Sequence, residues 1–194
     1  MSGLTLQELN YFGTSWYTIE KFGDNPAFAV AAGFRKIGVE RTDDGLFFAG
    51  IVEKVDAQGR ITDVVLSFAG TQAGATNDIV TNVALFTATS DAQTRRAAAL
   101  YDTIFGDERY ANAKIHVTGH SLGGALTEHV LGHALVTYGR SAVEESSDFT
   151  PFGAPPIGGR IAAHYGLSIA DFNGLVEGYY VENVLTQLIG VGDV

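Results

Sequence analysis

The chain has 194 residues, 46% hydrophobic and 18% charged, with 24 Gly and no Cys; this length and composition support one folded domain with a substantial core, not a disordered chain. Twelve Lys and Arg stand against 22 Asp and Glu, a formal charge of −10, and no basic run provides the clustered cations that nucleic acids or anionic lipid surfaces require. The absence of Cys excludes disulfides and cysteine metal or redox sites, no stretch approaches the roughly 18 to 20 apolar residues of a membrane span, and MSGLTLQELNYF lacks the zones of a signal peptide; the compartment stays open.

In chain order, Leu4, Leu6, Leu9, Tyr11 and Phe12, then Trp16, Tyr17 and Ile19, recur with a helical period ahead of the apolar run AFAVAAGF, so the first 35 residues read as packing helices. Leu46 to Val55 and Ile61 to Phe68 are β-rich runs separated by DAQGR, a hairpin or close strand pair. Between Asp91 and Phe105 the residues Ala97, Leu100, Tyr101, Ile104 and Phe105 mark a helix that GDERYANA interrupts. KIHVT reads as a short buried strand, GHSLGG as a sharp turn, and ALTEHVLGHALVTYG as a helix ended by Gly139. DFTPF and LVEGYYVENVL read as further strands, with GGRIAAHYGL between them a short helix or turn. Strands and helices that alternate in this way build the mainly parallel sheet of an α/β protein, and no repeat or linker divides the chain.

Gly119, His120, Ser121, Leu122 and Gly123 spell G-x-S-x-G. A serine hydroxyl attacks a carbonyl only when it is held exposed beside a base, and a tight strand-to-helix turn can hold it so only if its neighbours are small. Gly119, Gly123, Gly124 and Ala125 are that small, and the turn lies between a strand-like and a helix-like segment. The helix N-terminus directs unpaired N–H groups toward the turn, which suits an oxyanion. The plainer alternative is that Ser121 caps the helix.

GHSLGGAL resembles the nucleophile elbow of the class 3 lipases, α/β-hydrolases that cleave acyl esters, and three further segments resemble theirs in the same order. FAGTQAGATNDIVTNV (68–83) is similar to the oxyanion strand and loop, FGAPPIGG (152–159) to the motif after the elbow helix, and IGVGDV (189–194) to the acid-bearing segment. Ala69 stands where the family often has Arg, and Pro156 and Gly159 where Arg and Asn are usual. The resemblance covers roughly residue 60 onward. It implies an α/β-hydrolase-like fold: a mainly parallel sheet flanked by helices, with an N-terminal helical and hairpin region. Ser121 would be the nucleophile, Thr71 and the backbone of Leu122 the oxyanion donors, and Asp193 the acid, with Glu182 as the rival acid. No cofactor and no metal are implied.

The base is the difficulty, because this fold supplies its triad in the order Ser, acid, His, and no His follows Asp193 or Glu182. His116 lies in a strand, His120 inside the elbow, and His164 before the acid. His129 and His133 are four apart on one helix face, without an H-E-x-x-H pattern. The expectation is therefore one hydrolase domain over 1–194 whose triad His lies beyond Val194. The expected function is a serine ester hydrolase, a lipase or esterase acting on acyl lipids or other carboxylic esters through an acyl-enzyme on Ser121. Two alternatives stand: acyl transfer to an alcohol, and a degenerate hydrolase fold that binds lipid or a partner without turnover. The segment near 78–90, with Val80, Val83, Leu85 and Phe86, is equally a core helix or a lid whose apolar side meets a lipid interface. After Arg160 only acidic charges remain, so a nucleic-acid partner is not expected.

Overall fold

The computed structural model describes residues 4–22, 33–41, 47–70 and 91–176. Thr5 and Glu8 start the first helix reciprocally: the Glu8 N–H donates to Thr5 Oγ1 at 3.2 Å, and the Thr5 N–H and hydroxyl donate to the Glu8 carboxylate at 2.7 and 2.8 Å. Helix α1 then runs over Leu6–Phe22, where the helical period was read. Phe34, by contrast, opens a strand, β1 (Phe34–Arg41), inside the stretch assigned to helices. Its pairing register slips between Lys36 and Gly38, and a bulge erases the two-residue alternation by which a strand is recognised.

Strands β2 (Phe48–Val55) and β3 (Ile61–Phe68) form the expected hairpin. Asp56 Oδ1 shapes its turn by accepting the N–H groups of Gln58 and Arg60, each at 2.9 Å. Helix α2 (Asp91–Phe105), a 3-10 turn at Glu108–Tyr110 and strand β4 (Lys114–His120) follow. Next come α3 (Leu122–Tyr138), the short α4 (Arg140–Ser146), β5 (Ser147–Phe152), α5 (Gly158–His164) and a 3-10 turn at Ile169–Phe172. An isolated parallel bridge joins Phe149 to Val176, where the last strand was read; the rest of that run lies outside the described residues.

The five strands lie in the order β1-β2-β3-β4-β5. β1, β2 and β3 pair antiparallel, and β3, β4 and β5 parallel. The α/β architecture is as expected, but the hairpin joins the same sheet, so the described sheet is mixed instead of mainly parallel. Connection length is the reason. The short turn after β2 can only reverse the chain, whereas parallel pairing of β3, β4 and β5 needs the long, helix-bearing crossovers that follow β3 and β4.

Alternate residues of β3 serve two layers. Val64, Leu66 and Phe68 enter the main core with Tyr101, Val117, Leu126, Leu131 and Phe149, beneath α2 and α3. Val65 joins Phe12 of α1, Phe34, Phe48, Val52 and Ala69 in a smaller cluster on the opposite face, where Ser67 Oγ donates to the Phe12 carbonyl at 2.9 Å. Helix α3 is buried over most of its circumference, as a helix between a sheet and further helices must be.

Two buried acids brace the sheet. Glu53 accepts from Arg35 Nε at 2.6 Å and from the Tyr110 hydroxyl at 2.7 Å. Burial first, and then donation to Glu53, pushes the Tyr110 hydroxyl up to about 12, so it stays a donor. Asp63 Oδ1 accepts from His116 Nε2 at 3.1 Å and Oδ2 from the Thr62 hydroxyl at 2.8 Å. Burial alone would raise the Asp63 carboxyl; the hydrogen bonds from His116 and Thr62 and the fields of His116 and Lys54 outweigh it and hold the pKa below the ordinary value. A depressed pKa means this contribution is complete above the unfolded carboxylate value, ~3.9, and is lost as the pH falls through the lower folded one. Acid titration of stability should therefore show a loss below about pH 4 that Asp63→Ala removes. At neutral pH the same variant should lose on the order of 3 kcal/mol in urea unfolding, the penalty for orphaning a buried partner.

Candidate functional site

Ser121 stands just beyond the carboxyl end of β4, the middle strand of the parallel half. At that edge β3 ends beside Gly119, through the pair Phe68 and Gly119, and β5 ends beside His120, through the pair Phe152 and His120. The ends of three strands thus lie beside one serine, at the sheet edge where α/β folds collect their ligands.

Its backbone is at φ 58° and ψ −117°, and Ser121 is the one non-glycine residue with positive φ among the described residues. Such a conformation costs on the order of 1–3 kcal/mol and persists only where surrounding contacts impose it. Here the Ser121 N–H donates to the Phe152 carbonyl at 2.9 Å, and the Ser121 carbonyl accepts from Ala125 at 3.2 Å. The hydroxyl makes no capping bond, so Ser121 occupies the cap position without doing a cap's work.

The turn is this tight because two glycines let backbone touch backbone. A Cβ on Gly119 would lie 2.5 Å from the Gly123 carbonyl carbon and oxygen and 2.8 Å from the Phe68 oxygen. A Cβ on Gly123 would fall onto the Phe68 carbonyl oxygen itself. Helix α3 therefore begins against the end of β3, and Thr127 Oγ1 ties its first turn by donating to the Gly123 carbonyl at 3.0 Å. Leu122 is the first helical residue, with its side chain buried. N–H groups in a first turn have no intrahelical acceptor, and the dipole adds partial positive charge at the same end.

The five histidines have other surroundings. His116 bonds to Asp63, with Nδ1 3.5 Å from Asp148 Oδ2. His133 Nε2 lies 2.8 Å from Asp102 Oδ1, which also accepts from the Tyr138 hydroxyl at 2.9 Å. The His129 ring centroid lies 5.9 Å from those of His164 and Tyr165, so the two histidines four apart on α3 serve different neighbours. The His120 ring faces Gly153, and burial holds its pKa below the ordinary value. Among the described residues no hydrogen bond joins Ser121 to a histidine. Thr71, Glu182, Asp193 and the segment 78–90 lie outside the described residues.

Sequence reasoning missed Thr127 and Glu128 on α3. Glu128 is 3% exposed, and burial pushes its carboxyl up to about 7. The available signal was one acid amid the apolar residues of a helix flanked by strands.

The glycine contacts set a direct comparison. Gly123→Ala should lower unfolding stability by about 3 kcal/mol or more through overpacking against fixed backbone. Gly159→Ala, where an added Cβ meets nothing within 4 Å, should change it by less than about 1 kcal/mol, which urea melts of the two variants will separate.

The family model Lipase (class 3) matches residues 60–176, well over half of the chain, from the hairpin through the elbow to the bridge at Val176. No curated protein sequence matches the chain. Among solved structures, the triacylglyceride lipase of Rhizomucor miehei is similar at a TM-score of 0.50 and 18% identity, over 86% of this chain and 71% of that one. Extracellular lipase LipA of Serratia marcescens has a TM-score of 0.44 and 17% identity, over 79% of this chain and 24% of its own. Lip2 lipase of Yarrowia lipolytica has 0.43 and 20%, over 79% and 60%. This chain thus spans about a quarter of the Serratia protein and less than two thirds of the Yarrowia one. The matched residues are those that build the parallel strands, the elbow and the helix behind it, and with the Rhizomucor lipase sharing the architecture, this chain has the α/β-hydrolase fold and belongs to the class 3 lipase family.

Proposed function

We propose that this protein is a serine ester hydrolase that cleaves carboxylic esters of acyl lipids through an acyl-enzyme on Ser121. The strained elbow carries the reading: a serine held at φ 58° with no capping bond is difficult to account for by stability alone. Ser121 Oγ attacks the ester carbonyl and gives its proton to a base; the tetrahedral oxyanion collapses, the alcohol leaves with a proton, and water then releases the acid from the acyl-enzyme. The Leu122 N–H and Thr71 receive the oxyanion, each donor worth on the order of 3 kcal/mol in the transition state. Asp193 is the acid that orients the base, with Glu182 as its rival, and the segment 78–90 is the cover through which apolar surface meets lipid.

A second reading keeps the architecture without the chemistry, because a fold by itself does not ensure activity. In that reading the fold binds acyl lipid without turnover.

A fluorophosphonate probe with peptide mapping, applied to the full natural protein, separates the two. The expected result is a label on Ser121 that Ser121→Ala abolishes, together with all turnover of a p-nitrophenyl acyl ester. Turnover undiminished in Ser121→Ala overturns the nucleophile, and saturable binding to acyl-lipid vesicles with neither label nor turnover establishes the second reading. Of Asp193→Asn and Glu182→Gln, the substitution of the true acid should lower kcat by up to about 10⁴-fold with little change in KM.

A further inference from the structure

Three acidic side chains are buried among the described residues: Glu53, Asp63 and Glu128. Glu53 is met by Arg35 and Tyr110, and Asp63 by His116 and Thr62. Glu128, on α3 two turns beyond Ser121, is 3% exposed, and its Oε2 is buried without a hydrogen-bond partner. Glu128 also lines a cavity of about 430 Å³ beside α5 and the last 3-10 turn, with Gly158, Ile169, Phe172, Asn173 and Val176 among the other lining residues. No other ionisable group is among those lining it. A carboxylate taken out of water is stable only beside donors or positive charge. The fold supplies these to the first two acids; for the third it leaves an opening.

We propose that this cavity is a binding site for a primary alkylammonium ion, whose N–H groups donate to the Glu128 carboxylate while its alkyl body lies against Ile169, Phe172 and Val176. The lining selects this chemistry. A bare carboxylate oxygen calls for an N–H donor, which a quaternary ammonium lacks, and an aromatic ring next to a carboxylate favours an organic cation. A hard metal ion takes six or more oxygens, whereas the cavity offers a single carboxylate, and no group of three His, Cys, Asp or Glu suited to a metal occurs among the described residues. Gly158 keeps the opening clear: a Cβ there would lie 3.4 Å from Glu128 Oε2 and 3.3 Å from Ile169 Cδ1. The site is independent of the role proposed for Ser121.

Calorimetric titration of the protein with n-butylammonium chloride tests the site. Binding should be saturable and should tighten about tenfold between about pH 6 and 8, as a carboxyl that titrates at about 7 becomes ionised. Glu128→Gln, which preserves shape and removes the charge, should abolish binding, and Gly158→Ala, which keeps the charge and narrows the opening, should weaken it severalfold, with both variants melting cooperatively. Tetramethylammonium and Ca²⁺ should not bind at this site. Absence of saturable binding, undiminished affinity in Glu128→Gln, affinity that falls as the pH rises, or preference for either comparison cation would overturn the proposal.

Discussion

The structure depends on one close approach: the start of α3 lies directly on the end of β3, with Gly123 against the Phe68 carbonyl and Gly119 against Gly123. Side chains at those two positions would push helix and sheet apart, and the turn between them would have to open. Because they have none, the chain leaves β4 and enters α3 through Ser121 alone, which must adopt a positive φ to make the corner. Bonds at both sides of the serine, to Phe152 and from Ala125, keep it there. The strain is therefore paid for by packing on neighbouring strands, and the hydroxyl stays free of local structural work.

The rest of the molecule supports that corner. β4 is paired on both sides by parallel strands that end at the same edge, so the elbow cannot shift along the sheet without breaking two ladders. Behind it, α3 is enclosed by the main core, while α1 covers the opposite face through Phe12 and the bond from Ser67. The hydrogen-bonded buried acids lie away from the elbow, at Glu53 and Asp63, where they join the hairpin to β1, to the turn before β4 and to β4 itself. Glu128 departs from this pattern, since its buried Oε2 has no hydrogen-bond partner among the described residues and the residue lines a cavity.

Much of this was legible in the residues themselves. GHSLGG announced the turn because three glycines around a serine, between a β-rich and an apolar helical run, allow the backbone a tight corner there. The hairpin was legible because Gly59 and Asp56 are turn residues between two apolar runs, and α2 and α3 because their apolar spacing is unbroken. β1 was not, because a bulge between Lys36 and Gly38 scrambles its alternation. Glu128 was passed over because burial is a property of what surrounds a helix, and its own sequence neighbours do not report it. The histidines could be sorted by order along the chain, but their partners, Asp63 for His116 and Asp102 for His133, lie 53 and 31 residues away.

The amino-acid order alone determined the alternating elements, the family resemblance, the elbow serine and the lack of a basic run, since all of these follow from local propensity, spacing and composition. Only the tertiary structure decided that the hairpin and the parallel strands share one mixed sheet, that Ser121 is strained and uncapped, that His116 and His133 are paired with Asp63 and Asp102, and that one buried acid lines a cavity. Those outcomes depend on contacts between segments distant in sequence, whose strengths are set by packing and desolvation and not by the residues at either end of the contact.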